Sequence, residues 1–267
     1  MENGVIKMRA ARPIIFGVML SLMVVLPACG GTKMLKKPEA LAVVQPLATA
    51  SSRNLSATLD WVIYRGGPGT WARNVDWDEY MIGVRNVSGD SLQLTNIVVV
   101  DSLGTRIEPR NSRRQLVKGT KETKRRYKGE GLTVKAGVSA GVLVGAGVVV
   151  AAGTSGLGAA AMAGGGAAVG AAAVVVFVPI LAVGGIFRGI NNSKVNNQIE
   201  SRQTLLPVTL QDEEDKKLVV FYPLSPSPRQ IEISYVDASG EHTLVVDTQA
   251  ALEGLHIVKE GEIGDTH

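Results

Sequence analysis

One cysteine in 267 residues is the scarcest feature of this sequence. A single thiol excludes disulfide bonds within the chain and the paired-cysteine spacings of zinc sites. Only three histidines (His242, His256 and His267) are available as general bases, and no Walker lysine or calcium-binding loop is present. Basic and acidic residues nearly balance, at 28 to 24, which argues against a nucleic-acid partner. We therefore expect no enzyme, no cofactor and no metal.

Two short matches to catalytic motifs lack the residues that would make them work. The GxSxG match at residues 137–141 lies in a Gly/Ala/Val tract with no acid nearby. The GxGxxA match at residues 156–161 has no acid after it until Glu200, well beyond the distance expected for a dinucleotide site. Neither match predicts an active site.

One acidic cluster and one aromatic cluster each have a structural and a functional interpretation. Asp76, Asp78 and Glu79 could hold a cation, but an exposed acidic turn is the favoured interpretation. All three tryptophans lie within residues 61–77. They could form a binding surface, but we expect them to lie in a protein core.

The beginning of the chain has the three parts of an export signal. Basic residues lie ahead of an apolar run at residues 13–26, which is short for a membrane span but suits a signal-peptide core. The sequence Leu26-Pro27-Ala28-Cys29 follows and resembles the lipobox of bacterial lipoprotein precursors. The resemblance implies that the Cys29 thiol receives a diacylglyceryl group, that residues 1–28 are removed, and that the new N-terminus is acylated.

The same resemblance suggests a location for the mature protein. Gly30 follows the cysteine, whereas Asp at that place retains enterobacterial lipoproteins in the inner membrane. By analogy, we expect a lipid anchor at the periplasmic face of the outer membrane rather than in the inner membrane. Removal of residues 1–28 takes away three basic residues and one acidic residue, which lowers the formal net charge from +4 to +2.

Composition divides the rest of the chain into segments. The predicted segments are a tether (29–54), the first half of a β domain (55–109), a basic linker (110–135), a glycine-rich hydrophobic hairpin (136–190), a polar linker (191–203), the second half of the β domain (204–260) and a tail (261–267).

Alternating apolar and polar residues predict antiparallel strands in both β halves. In the first half, the alternating residues are Tyr80, Ile82 and Val84, and a turn follows at residues 88–90. In the second half, they are Ile231 and Ile233, which alternate with polar residues before a turn at residues 237–240. Each half alone is too small to bury much core. We expect a mainly β fold, an immunoglobulin-like β-sandwich that the α-helical insertion interrupts, although two separate small β domains remain an alternative.

The insertion contains no charged residue between positions 136 and 187. As helix, these 52 residues would measure roughly 80 Å, against about 30 Å for a hydrocarbon core. That length predicts a transmembrane hairpin with arms at about residues 136–152 and 167–187. The alternative is that the segment packs inside the protein or an oligomer.

Glycines recur every four residues in this insertion, which resembles the glycine zippers of membrane proteins. The spacing would align small residues on one helix face and let a second helix approach closely. The alternative is that abundant glycine produces the spacing by composition. The predicted helix-packing residues are Gly137, Gly141, Gly145, Gly166, Gly170, Gly185 and Gly189.

A basic stretch precedes the insertion and predicts contact with lipid phosphates, because each cation near an anionic surface contributes about 1 kcal/mol. The alternative is a solvated linker. The candidate contact residues are Arg113, Arg114, Lys124, Arg125, Arg126 and Lys128.

Two classes of function are consistent with these features. The first is a structural or assembly lipoprotein with membrane lipids and either further copies of itself or another envelope protein as partners. The second is a pore-forming or membrane-perturbing protein. The first is favoured because neither arm carries a polar stripe that would line a wet pore.

Overall fold

The computed structural model describes residues 32–36, 38, 41–43, 45–138, 148–150, 174–176 and 191–258. All of them belong to one compact unit, Thr32–His267. The predicted signal peptide, Cys29 and the C-terminal tail lie outside the described residues.

Strands predominate in this part of the chain. In order, they are β1 (Lys33–Met34), β2 (Leu41–Val43), β3 (Ala48–Ser51), β4 (Leu55–Ile63), β5 (Ala72–Arg73), β6 (Trp77–Asn86), β7 (Leu92–Val100), β8 (Arg106–Ile107), β9 (Thr133–Val138), β10 (Val148–Val150), β11 (Val174–Val176), β12 (Val208–Leu210), β13 (Asp215–Pro223), β14 (Gln230–Asp237), β15 (Gly240–Asp247) and β16 (Leu255–Val258). The helices are α1 (Arg113–Gly129), α2 (Asn191–Arg202) and α3 (Gln249–Leu252).

Two antiparallel sheets contain most of these strands. One has the order β13-β6-β4-β3, and the other has the order β12-β7-β14-β15 with β8 also beside β7. Strands from before and after the insertion pair in both sheets: Tyr80 lies opposite Val220 in the first, and Ile97 lies opposite Ile233 in the second. The two parts of the chain therefore build the same pair of sheets.

Apolar side chains from both sheets form the main core. Leu59 and Ile82 of the first sheet pack in one cluster with Ile97 and Ile233 of the second. Tyr222 links the sheets through its hydroxyl, which donates to the carbonyl oxygen of Ile97 at 2.7 Å. The mainly β fold predicted from the alternation is confirmed.

The predicted strands and turns of the two β halves agree with the structure. Tyr80, Ile82 and Val84 are buried on β6, and Ile231 and Ile233 are buried on β14. The predicted turn at residues 237–240 joins β14 to β15. The alternation succeeds here because each strand buries one face in the core.

Three segments predicted as tether or linkers contain regular structure. The tether region 29–54 contains β1, β2 and β3, the basic linker contains the 17-residue helix α1, and the polar linker contains α2. Helix α1 forms because Leu116, Thr120, Thr123 and Tyr127 follow one another at helical spacing on a single buried face. Two of these four are threonines, so the face does not stand out among the eight basic residues of the helix.

The helical hairpin is wrong for the part of it that the structure describes. Residues 136–138 belong to β9, and β10 and β11 each pair antiparallel with β2 in the same register, Val149 and Val175 both lying opposite Ala42. Two strands that are both antiparallel to β2 run in the same direction, whereas hairpin arms run in opposite directions. Runs of valine favour strands, since the β-branched side chain restricts helical rotamers.

The rest of the predicted hairpin, which consists of residues 139–147, 151–173 and 177–190, lies outside the described residues. Within the described part of the chain, no helix is both long and apolar enough to cross a membrane.

Candidate functional site

Two elements flank the insertion and form its base: β9, at its start, and α2, directly after its end. Both are held in place through two neighbouring acidic residues on β6. Asp78 and Glu79 point to opposite faces of the sheet because side chains alternate along a strand. Their side chains are at most 2% exposed. The expected exposed acidic turn is therefore wrong for these two residues.

Asp78 holds the side of the base where the insertion begins. His256 Nε2 lies 2.8 Å from Asp78 Oδ2, and both side chains are fully buried. The backbone N–H of Gly137 donates to His256 Nδ1 at 3.1 Å. Because Nδ1 accepts this hydrogen bond, the imidazole proton lies on Nε2 and is donated to the carboxylate. The C-terminal strand β16 is thereby joined to both β6 and β9.

Glu79 holds the side where the insertion ends. Arg202, the last residue of α2, donates to Glu79 Oε1 from Nε at 3.0 Å and also from Nη2. The indole Nε1 of Trp71 donates to Glu79 Oε2 at 2.7 Å, and the guanidinium carbon of Arg202 lies 5.5 Å from the centre of the Trp71 ring. A buried charge pair with these added contacts fixes α2 against the sheet.

Asp76 is also committed to protein partners. Its carboxylate oxygen Oδ1 lies 3.3 Å from Arg65 Nη2 and 3.6 Å from Lys124 Nζ. Over the residues that the structure describes, no group of three or more His, Cys, Asp or Glu side chains is arranged to hold a metal ion. The three acidic residues therefore bind three different parts of the chain: Asp76 binds α1, Asp78 binds β16 and Glu79 binds α2.

The three tryptophans are buried, as expected of core residues. Trp71 and Trp77 pack with 6.5 Å between ring centres beside Leu116 of α1 and Val195 of α2. Trp61 lies in a smaller cluster with Leu41 of β2. The tryptophans therefore form the surface on which the helices and the tether strand pack.

Helix α1 presents the predicted lipid-contact residues in two groups. Arg126 pairs with the buried carboxylate of Asp101 at 2.7 Å, Lys124 pairs with Asp76, and Arg113 donates to the Thr32 hydroxyl at 3.3 Å. The other group consists of Arg114, Arg125 and Lys128, which are exposed and make no ion pair with any described residue.

The inner face of α1 packs closely on β13. The Thr120 hydroxyl donates to the carbonyl of Asp76 at 2.6 Å and accepts from the N–H of Leu224 at 3.0 Å. A Cβ added at Gly119 would lie 2.4 Å from Cγ of Pro223, so only glycine fits at this crossing. Tyr127 Oη lies 2.8 Å from Ser102 Oγ, and burial raises the pKa of Tyr127 to about 12.

Of the predicted helix-packing glycines, only Gly137 is described. Its φ of +117° belongs to an extended glycine conformation in β9 and not to a helix, so its predicted role in helix packing is wrong. The other six glycines and Cys29 lie outside the described residues.

The tether enters the domain beside the N-terminal end of α1. Thr32 is buried, and its hydroxyl donates to the carbonyl of Asn74 at 3.4 Å and accepts from Arg113. Strand β1 then pairs with β5, placing Lys33 directly opposite Arg73. Strand β2, which begins eight residues after Lys33, lies between β10 and β11 of the insertion.

The residues that fasten the base were not found from the sequence. Asp78 and His256 are 178 positions apart, and Glu79 and Arg202 are 123 apart. The one available signal was a carboxylate on each face of a strand with aromatic neighbours, which predicts burial with a partner but does not say which partner.

Comparisons with protein-family models, with curated proteins and with solved structures found no match to this chain. Its function has to be inferred from its own residues.

Proposed function

We propose that this protein is a lipid-anchored envelope lipoprotein that assembles with further copies of itself through its uncharged insertion, without catalytic activity. One observation carries the proposal: β2 of the tether is the central strand between β10 and β11 of the insertion. The segment that leads from Cys29 and the segment with the glycine spacing therefore meet in one small sheet.

The tether length limits how far the insertion lies from the lipid. Leu41 is twelve residues after Cys29, so at most about 43 Å of extended chain separates the two. A lipidated Cys29 with two acyl chains would already anchor the protein stably, which leaves the insertion available for another role.

Chain length favours assembly over membrane crossing. Two crossings of the hydrocarbon core need about 40 residues. The chain has 23 residues between Val150 and Val174, whose strands lie on the same sheet. Gly166 and Gly170 fall in this segment, and on a helix their four-residue spacing would let a helix of a second chain approach closely.

Helix α1 supports a position at the membrane surface. Arg114, Arg125 and Lys128 are exposed and have no carboxylate partner among the described residues. Lipid phosphates would supply the missing negative charge, at about 1 kcal/mol for each cation. We propose the periplasmic face of the outer membrane as the site of anchoring.

We also propose that the β domain is an immunoglobulin-like sandwich. Its support is two antiparallel sheets with a common core, between which the chain passes from β6 to β7 and again from β13 to β14. An experimental structure would test it, because the strands of an immunoglobulin-like sandwich must be joined by Greek-key connections.

Assembly is tested on a mature chain that has an ordinary cleavable signal and no Cys29, so that no lipid holds it. In one variant, a Gly/Ser linker of about fourteen residues replaces residues 151–173, because β10 and β11 run in the same direction and such strands need a crossover of about a dozen residues or more. In the matched control, residues 151–173 are shuffled to keep their composition and remove the four-residue glycine spacing.

We expect the unmodified insertion to give oligomers in light scattering and crosslinking, and both variants to give monomers with unchanged melting. Equal masses for all three proteins would overturn assembly through the insertion. Oligomers of the unmodified protein and of the shuffled control, with monomers of the linker variant, would show that composition suffices. Dye leakage from liposomes that depends on residues 151–173 would favour the pore-forming alternative.

A further inference from the structure

An open pocket lies where the tether joins the domain. Its volume is about 450 Å³, and its lining includes Arg65, Gly67, Thr70 and Arg73. Two arginines and no acidic residue line it. The lining mixes apolar and polar groups; Arg65 is paired with Asp76, so Arg73 is the lining cation that no carboxylate of the described chain pairs with.

The loop that forms the pocket floor is held in place before any ligand arrives. The Thr70 hydroxyl lies 2.7 Å from the carbonyl oxygen of Tyr64 and 2.6 Å from that of Gly67. A Cβ at Gly67 would lie 2.5 Å from the Tyr64 ring, so the loop needs glycine there. Such a preformed site binds without first ordering its loop.

The positive charge beside the pocket is not neutralised by the protein. Lys33 and Arg73 face each other directly across β1 and β5, and like charges in that position destabilise a strand pair. Both are exposed, and no carboxylate in the described chain pairs with either one. Arg113, next to them, donates to the neutral hydroxyl of Thr32. Lys33 follows Thr32 in the chain, Arg73 lies opposite Lys33, and Arg113 contacts Thr32, so three cations lie at this junction and a bound anion would reduce their repulsion.

The site also lies close to the proposed lipid anchor. Thr32 is three residues after Cys29, so the two Cα atoms are at most about 11 Å apart. Among anions, those within such reach of a lipidated cysteine are the phosphates of the surrounding headgroups.

We propose that Lys33, Arg73 and Arg113, with the adjoining pocket, bind the phosphate of an anionic phospholipid headgroup in the leaflet that holds Cys29. The inference rests on the proposed function for the position of this surface at a membrane. It adds a specific site at the tether junction to the exposed cations of α1.

The experiment measures co-sedimentation of the lipid-free mature protein with vesicles of phosphatidylcholine, with and without phosphatidylglycerol. Arg73→Gln is the test variant. Arg53→Gln is the matched control, because Arg53 is also exposed but precedes β4, whereas the pocket follows the other end of that strand. Arg53→Gln should leave the melting temperature unchanged, and Arg73→Gln should leave it equal or slightly raised, because it removes the repulsion with Lys33.

We expect binding only with phosphatidylglycerol, weakening as salt is added. Arg73→Gln should lower the partition coefficient about fivefold, the effect of one cation worth about 1 kcal/mol. Adding Lys33→Gln should lower it about fivefold again, and Arg53→Gln should have little effect.

Three results would overturn the proposal: no preference for phosphatidylglycerol, an equal loss in Arg53→Gln, or binding of soluble glycerol phosphate through Arg73 without vesicle binding. The last would identify a free phosphate compound as the ligand. Because the protein in this assay carries no lipid, a failure here differs from a failure of Cys29 acylation or of assembly through residues 151–173.

Discussion

The buried pair between Glu79 and Arg202 should be among the most sensitive points of the structure. Their side chains are 2% and 5% exposed, so removing one partner leaves the other charge buried without compensation. Such changes destabilise proteins by about 3–5 kcal/mol. For a chain of this size, that corresponds to a fall in melting temperature of about 6–20 °C.

The assay is urea unfolding of the lipid-free mature chain, followed by circular dichroism and by tryptophan fluorescence, which reports on the adjacent Trp71. Glu79→Gln and Arg202→Met should each lower the free energy of unfolding by several kcal/mol. The double variant should lose less than the sum of the two, with a coupling energy of up to about 3 kcal/mol. Arg202 ends α2, so the same variants should expose α2 to proteases.

The control is the exposed pair of Arg85 and Glu213, whose side chains are 49% and 61% exposed. Solvent-exposed pairs contribute about 0–1 kcal/mol, so Glu213→Gln should have little effect. If Glu79→Gln destabilises no more than Glu213→Gln, then α2 is not packed on the sheet through this pair, and the description of the base of the insertion is wrong.

Three further predictions concern packing, titration and the tether. Gly119→Ala should destabilise because its Cβ would strike Pro223, whereas Gly129→Ala in the same helix meets open space and should be neutral or stabilising by up to about 1 kcal/mol; equal urea midpoints would contradict this. Above pH 10 the unfolded chain loses the Tyr127 proton while the folded protein keeps it, so stability should fall between pH 10 and about 12 and fall less steeply in Tyr127→Phe; equal slopes would refute the assignment. Ala42→Pro should break the central strand β2 and speed cleavage of the insertion by a protease that cuts after valine or alanine; an unchanged cleavage rate would exclude this pairing.

The sequence predicted the strands well because their signal is local. Each strand of the sandwich buries one face, so alternation around Ile82 or Ile233 is visible within a few residues. Helix α1 was missed because two of its four buried positions are threonines surrounded by basic residues. The apolar pattern was therefore too weak to distinguish a helix from a solvated linker.

The candidate site was beyond a sequence-based prediction for a different reason. Val148–Val150 and Val174–Val176 are apolar runs that suit either a helix or a strand, and only pairing with Leu41–Val43 decides between them. The partners of Asp78 and Glu79 come from residues more than a hundred positions away. Such choices depend on which elements pack together, and a single sequence contains no direct record of that.

The lipid on Cys29 is the claim on which the proposed location and both membrane inferences depend. Mass spectrometry of the N-terminal peptide of the mature protein, combined with fatty-acid labelling in cells, tests it directly. We predict a peptide that begins at Cys29 and carries a diacylglyceryl group and an N-acyl chain, and a Cys29→Ser variant that is unlabelled and uncleaved. A mature protein with an unmodified Cys29 thiol, or normal labelling of Cys29→Ser, would contradict the account.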